Sequence, residues 1–143
     1  MELPGLTHIE THKLQRSISK HDQGFKRELS PIGAAKLIQK TLDHDCKMKD
    51  LQLALSITGP TIIYQHLKIL NNLDPKLHKF VKYNEELKIG DLVYDRAHVI
   101  AGWEKNHQNE IFPHILEMNL TRKDLRGIMQ RVERGKVSVN TAV

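Results

Sequence analysis

Apolar residues in this chain recur three and four positions apart, and strict alternation is almost absent. That periodicity predicts an all-α fold, a multi-helix bundle. Leu6, Ile9, Leu14 and Ile18 mark a first helix over residues 6–18, and the polar stretch SKHDQGFKRE, with Gly24, reads as a linker after it. The next helix has a clear start. Ser30 is suited to cap it, and Pro31 fits the first helical position, where no amide donor is needed. Its inner stripe is Ala34, Leu37, Ile38 and Leu42, and it fades over residues 43–45. Met48, Leu51, Ala54 and Leu55 predict a short helix, and SITGPTIIYQHLKIL, residues 56–70, holds another behind a threonine, a glycine and a proline.

Further along, Pro75 starts a helix through Leu77, Phe80 and Val81. Leu92, Val93, Ala97, Ile100 and Ala101 predict one that ends near Gly102. Ile111, Ile115, Leu116 and Met118 predict the next, with Pro113 in its first turn or bending it. Thr121 caps the last, RKDLRGIMQRVERG, with Asp124 in the place of the capping-box acid and Gly135 as the stop.

At about 100° per residue, the helix within residues 56–70 divides cleanly. Ile62, Ile63, His66, Leu67, Ile69 and Leu70 fall on one side, and Thr61, Tyr64, Gln65, Lys68, Asn71 and Asn72 on the other. The apolar half must dock on its neighbours, and the short helix before it carries a matching stripe. A join of only a few residues forces the two to cross steeply, which is a helix-turn-helix arrangement with the second helix pushed outward. The outer face suits a DNA groove. Gln65 can pair with an adenine edge, Lys68 can reach guanine or a phosphate, and Thr61 can bond a base or touch a thymine methyl. Thr58 or Gly59 serves as the cap, and free amides there favour a phosphate oxygen. Lys47 and Lys49 stand ahead of the first helix, suited to hold the backbone.

Composition changes the picture modestly. The 143 residues suit one domain, and 39 % hydrophobic with 27 % charged residues favour a globular chain over a disordered one. Aromatics at 5 % argue against base stacking as the main binding mode. A net charge of +5 suits an anionic partner, although the outer face described above has Lys68 as its only cation. One cysteine, Cys46, excludes an intramolecular disulfide and predicts a reducing, cytoplasmic home. The N-terminal sequence lacks the apolar segment of a signal peptide, and no apolar run reaches membrane-helix length.

Other constellations carry less. HIETH has histidines one turn apart, but Glu10 does not follow the first of them directly as in the zinc-protease motif, and a third ligand is wanting. His44 complements a helix dipole, Cys46 reads as a small buried residue, and His66 as a packed histidine bonded to backbone. Trp103 reads as a core anchor. Arg122, Lys123, Arg126, Arg131 and Arg134 form either a phosphate-contacting ridge or a solvated helix face. No serine or cysteine nucleophile has a recognisable histidine and acid beside it, and no glycine-rich phosphate loop appears, so no enzyme and no cofactor are expected.

LSPIGAAKLIQ, residues 29–39, followed by the helix pair, LKIGDLVYDRAHVIAGW and IFPHILEMNLTRKDLRGIMQRVER, resembles the central DNA-binding domain of the ParB/KorB partition proteins. The likeness covers about residues 29–134, with the elements in family order. HKLQRS resembles the stretch ahead of the family's opening motif, at a longer spacing. The resemblance implies a helix-turn-helix domain over residues 29–136, an N-terminal helix and linker at 1–28, and a tail at 137–143. It implies binding of double-stranded DNA, usually at a palindromic centromere-like site in plasmid or chromosome partition, with transcriptional repression in some relatives. It leaves open a homodimer and a partition ATPase as partners. Base reading carries over to Thr61, Tyr64, Gln65 and Lys68, and a later helix raises Arg96 and His98. Gly33 stands where the family often has Glu, and His98 where Arg is usual. The family's nucleotide-binding domain and its C-terminal dimerisation domain have no counterpart, so CTP binding is not carried over. A fragment or a small stand-alone relative is expected.

Overall fold

The computed structural model describes residues 2–18 and 27–143, so most of the expected linker lies outside the described residues. The described chain is mostly helical: α1 (His8–Ile18), α2 (Pro31–Asp43), α3 (Met48–Ala54), α4 (Thr61–Asn72), α5 (Pro75–His78), β1 (Val81–Lys82), β2 (Leu92–Val93), α6 (Tyr94–Ile100), α7 (Lys105–Met118), α8 (Arg122–Gly135) and α9 (Val139–Ala142). Two compact units form, Met1–Leu70 and Asn71–Val143. The expected division at residue 28 is not where they part, because α1 packs on α2 inside the first unit.

The first unit opens on a turn. The Leu6 amide donates to Leu3 O at 3.1 Å, with Pro4 and Gly5 between them. Proline second and a positive-φ glycine third are the marks of a type II turn, and Gly5 has φ 74. A Cβ on Gly5 would also lie 2.5 Å from the His44 ring, so no other residue fits there without a shift. Thr7 and Glu10 then cap α1 reciprocally: the Thr7 amide donates to Glu10 Oε1 at 3.0 Å, and the Glu10 amide to Thr7 Oγ1 at 3.1 Å. This backbone bond, with Lys40 as a smaller cause, holds the Glu10 carboxyl below its usual pKa. Thr11, Leu14 and Ile18 turn inward as expected of a helix stripe, but Ile9 is 65 % exposed, contrary to the apolar pattern. The reason is angular: Ile9 lies about 180° around the helix from Ile18.

Ser30 caps α2 as its sequence predicts, its Oγ accepting from the Gly33 amide at 3.1 Å, with Pro31 at the first position. Ala34 and Ile38 are fully buried, and half-buried Leu37 and Leu42 pack beside them. Two helix ends use left-handed residues that are not glycine. Asp45 (φ 66) follows α2, with Asp45 N to Leu42 O and Cys46 N to Thr41 O both at 3.1 Å. Ser56 (φ 57) follows α3, with Ser56 N to Leu53 O at 3.2 Å and Ile57 N to Gln52 O at 3.1 Å. Each pair is a Schellman closure, which satisfies the last carbonyls and reverses the chain. Buried Leu3, Leu6, Leu14, Ile18, Ala34, Ile38, Cys46, Leu51, Leu55 and Ile63 make one continuous core.

The second unit departs further from the helical expectation. Pro75 does start a helix, but it ends at His78, and Val81 enters β1. Leu92 and Val93, expected at the head of a helix, instead form β2, pairing in parallel with Val81 opposite Leu92 and Lys82 opposite Val93. Alternation cannot reveal strands of two residues, because two positions establish no period. The two-residue strands are buried on Val81 and Leu92, and Tyr83 and Tyr94 pack at 5.7 Å beyond them.

Gln108, on α7, is fully buried and stitches two turns together. Its Oε1 accepts the Asp74 amide at 2.7 Å, and its Nε2 donates to Asn72 O at 3.0 Å and Trp103 O at 2.9 Å. A buried amide satisfied on both ends is stable, whereas one left open would cost about 1–3 kcal/mol. Asp74 also caps α5 through Lys76 N and accepts from Asn109 Nδ2, and these bonds lower its pKa in that order. Trp103 itself is half-buried beside this turn.

Pro113 lies well inside α7 and not in its first turn, because polar residues from Lys105 onward already form the helix. Thr121 caps α8 with a reciprocal Asp124 box, which also holds the Asp124 carboxyl below its usual pKa. Gly135 remains helical, and Lys136, at φ 49, takes the left-handed position expected of the glycine. The expected tail carries α9, capped by Ser138. Among the described residues, no helix is long and apolar enough to cross a membrane.

Candidate nucleic-acid interface

α3 and α4 are joined by a turn that begins at left-handed Ser56 and ends at Pro60. The first α4 bond runs from the Tyr64 amide to Pro60 O at 3.0 Å, so Pro60 precedes the first helical residue and neither Thr58 nor Gly59 caps it. Proline offers no side-chain acceptor, and the helix start is left to backbone geometry. Thr58 is exposed and Gly59 half-buried in the turn ahead of it.

The burial of α4 follows its angular pattern on five of six apolar positions. Ile63, His66 and Ile69 are buried, and Leu67 and Leu70 half-buried. Ile62 is the exception at 38 % exposure. By angle it faces inward, but in the first turn it meets an open groove of about 510 Å³, lined by Ile18, Ser56, Ile57, Thr58, Gly59, Thr61 and Ile62. His66 is held by a contact of its Nδ1 with Ile62 O at 2.7 Å. Burial drives its pKa down to about 4, outweighing that backbone bond, and the Arg27 charge lowers it further. It is therefore neutral at pH 7, as a packed histidine should be.

On the other side, Thr61 is exposed, Tyr64 is 56 % exposed, and Gln65 and Lys68 are half-buried. Lys47, at the position before α3, and Lys49, in its first turn, are exposed. Asp43, Asp45 and Asp50 are exposed in the same stretch, so the local charge is close to balanced. Leu53, 74 % exposed, adds an apolar residue to α3 that the helical pattern does not single out.

Arg96 and His98 lie on α6, in the second unit. Arg96 is engaged within that unit: Nη1 contacts both Asp95 oxygens at 2.8 and 2.9 Å, and Nε donates to Leu120 O at 3.2 Å. The same carboxylate has Arg122 Nε at 3.6 Å. This network ties the start of α6 to the turn before α8. His98 is half-buried. His8 and His12, the histidines of HIETH, are exposed, and Glu10 between them is used in the α1 cap.

Set against protein-family models, curated proteins and solved structures, the chain matches none of them.

Proposed function

We propose that α3 and α4 form a helix-turn-helix that binds specific double-stranded DNA, with Thr61, Tyr64, Gln65 and Lys68 facing the groove. The observation that carries this reading is the outward side of α4. It exposes the Thr61 hydroxyl and the Tyr64 phenol and carries the half-buried Gln65 amide and Lys68 ammonium beside them, while Ile63, His66 and Ile69 anchor the opposite side. Hydroxyl and amide groups can distinguish base edges, and a lysine can add a contact to guanine. Exposed Lys47 and Lys49 are suited to phosphate contact, and Arg96 and His98 are secondary candidates from the second unit. The resemblance to the ParB/KorB domain extends the proposal to a centromere-like site in partition, with a paired copy on a palindrome and an ATPase partner. A repressor of the same fold is separated from it by plasmid-loss and reporter assays.

Selection of bound sequences from a random duplex pool tests the reading, and a palindromic winner would give the pairing as well. On the selected site, Gln65→Ala should cost about 1–3 kcal/mol and little on random duplex. No enrichment, or an equal loss on both duplexes, rejects base reading. A second reading, a protein-interaction adaptor, is favoured by the exposed apolar Leu53 and Ile62 near Tyr64 in sequence. An adaptor would show no salt-dependent binding to duplex DNA.

A further inference from the structure

α8 turns Leu125, Ile128 and Val132 inward and leaves most of the opposite side exposed, with α9 bordering it at Arg131. At about 100° per residue, Arg126, Gln130, Lys123, Arg134, Gly127 and Arg131 follow one another across an arc of about 140° on that outer side. All four cations there are exposed. No acid falls inside the arc. Asp124 and Glu133 lie just beyond its two edges, and Asp124 is committed to the Thr121 cap. Among the described residues, Arg126 and Arg134 make no hydrogen bond or ion pair, and Arg131 bonds only through Nε, to Ala142 O at 2.8 Å. Arg122, the remaining arginine of the helix, is drawn aside toward Asp95.

A second observation concerns Gly127, in the middle of this face. Glycine inside a helix costs about 1 kcal/mol relative to alanine. Packing does not require it, since a Cβ there would meet only Arg131 Nη1, at an ordinary 3.7 Å. Gly127 instead forms part of a shallow depression of about 440 Å³, lined also by Gln130, Arg131, Arg134, Gly135 and Val137. A ridge of another molecule can approach the helix backbone there, with guanidinium groups beside it.

We propose that this outer face of α8 is a second, sequence-independent contact for duplex DNA, which receives the sugar-phosphate backbone of one strand. Arg126 and Arg134 are two turns apart, about 12 Å along the axis, a length that spans neighbouring phosphates of one strand. Guanidinium groups bind phosphate oxygens in paired hydrogen bonds. A membrane surface fits less well, because an interfacial helix needs an apolar side to insert and that of α8 is buried. A single strand also fits less well, because the arc has no aromatic ring for stacking. The inference goes beyond base reading by α4 and stands without it.

Titration of the full chain with random-sequence duplex over a range of salt tests the contact. The double variant R126Q/R134Q changes two exposed side chains and should lower the slope of log K against log salt by about two units, with the helical signal unchanged. The preference for a selected site over random duplex should survive in that variant, whereas Gln65→Ala should lose the preference and keep the slope. Gly127→Ala should raise the thermal midpoint and weaken binding to random duplex, because the new methyl covers the helix backbone that a strand would approach. The proposal is overturned by an unchanged slope in R126Q/R134Q, or by Gly127→Ala binding as tightly as the parent. Phosphatidylserine vesicles or polyglutamate held as tightly as duplex would overturn it too, as would absence of salt-dependent duplex binding by the parent chain.

Discussion

α4 and α8 obey the same amphipathic rule, with apolar residues inward and polar residues outward, yet they differ on both sides. Outward, α4 has Thr61, Tyr64 and Gln65 with a single cation, Lys68, whereas α8 has Lys123, Arg126, Arg131 and Arg134 with no acid among them. Inward, α8 rests on aliphatic groups alone, while α4 seats a buried histidine between Ile63 and Ile69. The difference teaches that amphipathicity decides only that a helix is anchored. What the anchored helix can recognise depends on the chemistry left outside: a hydroxyl, a phenol and an amide can sort base edges, and a dense run of cations supplies phosphate attraction that does not depend on sequence.

The backs of the two helices give the largest tests. Leu125→Ala, at a fully buried position of α8, should destabilise the chain by about 3 kcal/mol, read as a shifted urea midpoint. A loss well under about 1 kcal/mol would mean that α8 is not anchored as described and that its outer face is not fixed.

α4 should answer to pH above the carboxylate range, whereas α8 should answer only through its Asp124 cap at lower pH. His66 has a pKa of about 4 when folded, against 6.5 for an unperturbed histidine. The unfolded chain therefore binds more protons between those values, and stability rises with pH across that window. The contribution is whole above the unfolded value, shrinks as pH falls, and is gone below the folded one, a difference of about 3 kcal/mol at most. The carboxyl groups of Glu10, Asp74 and Asp124 have lowered pKa values and add their losses at lower pH, below the ordinary carboxylate range. In a proton NMR titration the His66 ring should stay neutral down to about pH 5; titration near its ordinary value would show that the ring is not buried as α4 requires.

The smallest effect sharpens how α4 is aimed. Ser56 takes a left-handed conformation in the turn ahead of α4, at a cost that glycine would avoid. Ser56→Gly should therefore stabilise the chain by up to about 1 kcal/mol, measured by thermal unfolding, without changing the DNA site selected. A destabilised variant would mean that the serine side chain contributes more than its backbone costs.

Much of α2, α4 and α8 was legible from residues alone. Ser30 with Pro31, and Thr121 with Asp124, are caps whose donors and acceptors lie within one turn, so nearest neighbours suffice to specify them. The packing of His66 was legible for a similar reason, since its backbone partner Ile62 lies one turn away. LPGL and THIE carried equally local signals for the first turn and the α1 cap, which a search for turn and capping chemistry would have found. At the candidate interface, the outward placement of Thr61 and Tyr64 followed from helix angle, whereas the exposure of Ile62 did not, because burial in a first turn depends on what lies beyond the helix end.

Sequence by itself determined the helical periods, their caps and the sign of charge on each helix face, because these depend on residues within about one turn of each other. Tertiary structure alone decided that Val81 and Leu92 would meet in a parallel pair, and that Gln108 would bridge the turns at Asn72–Asp74 and Ala101–Trp103. It also decided that Arg96 would be tied to Asp95 and Leu120. These contacts join groups that the local code leaves equally satisfied by water or by many partners. Only the folded chain, which removes water and brings distant groups together, selects among them.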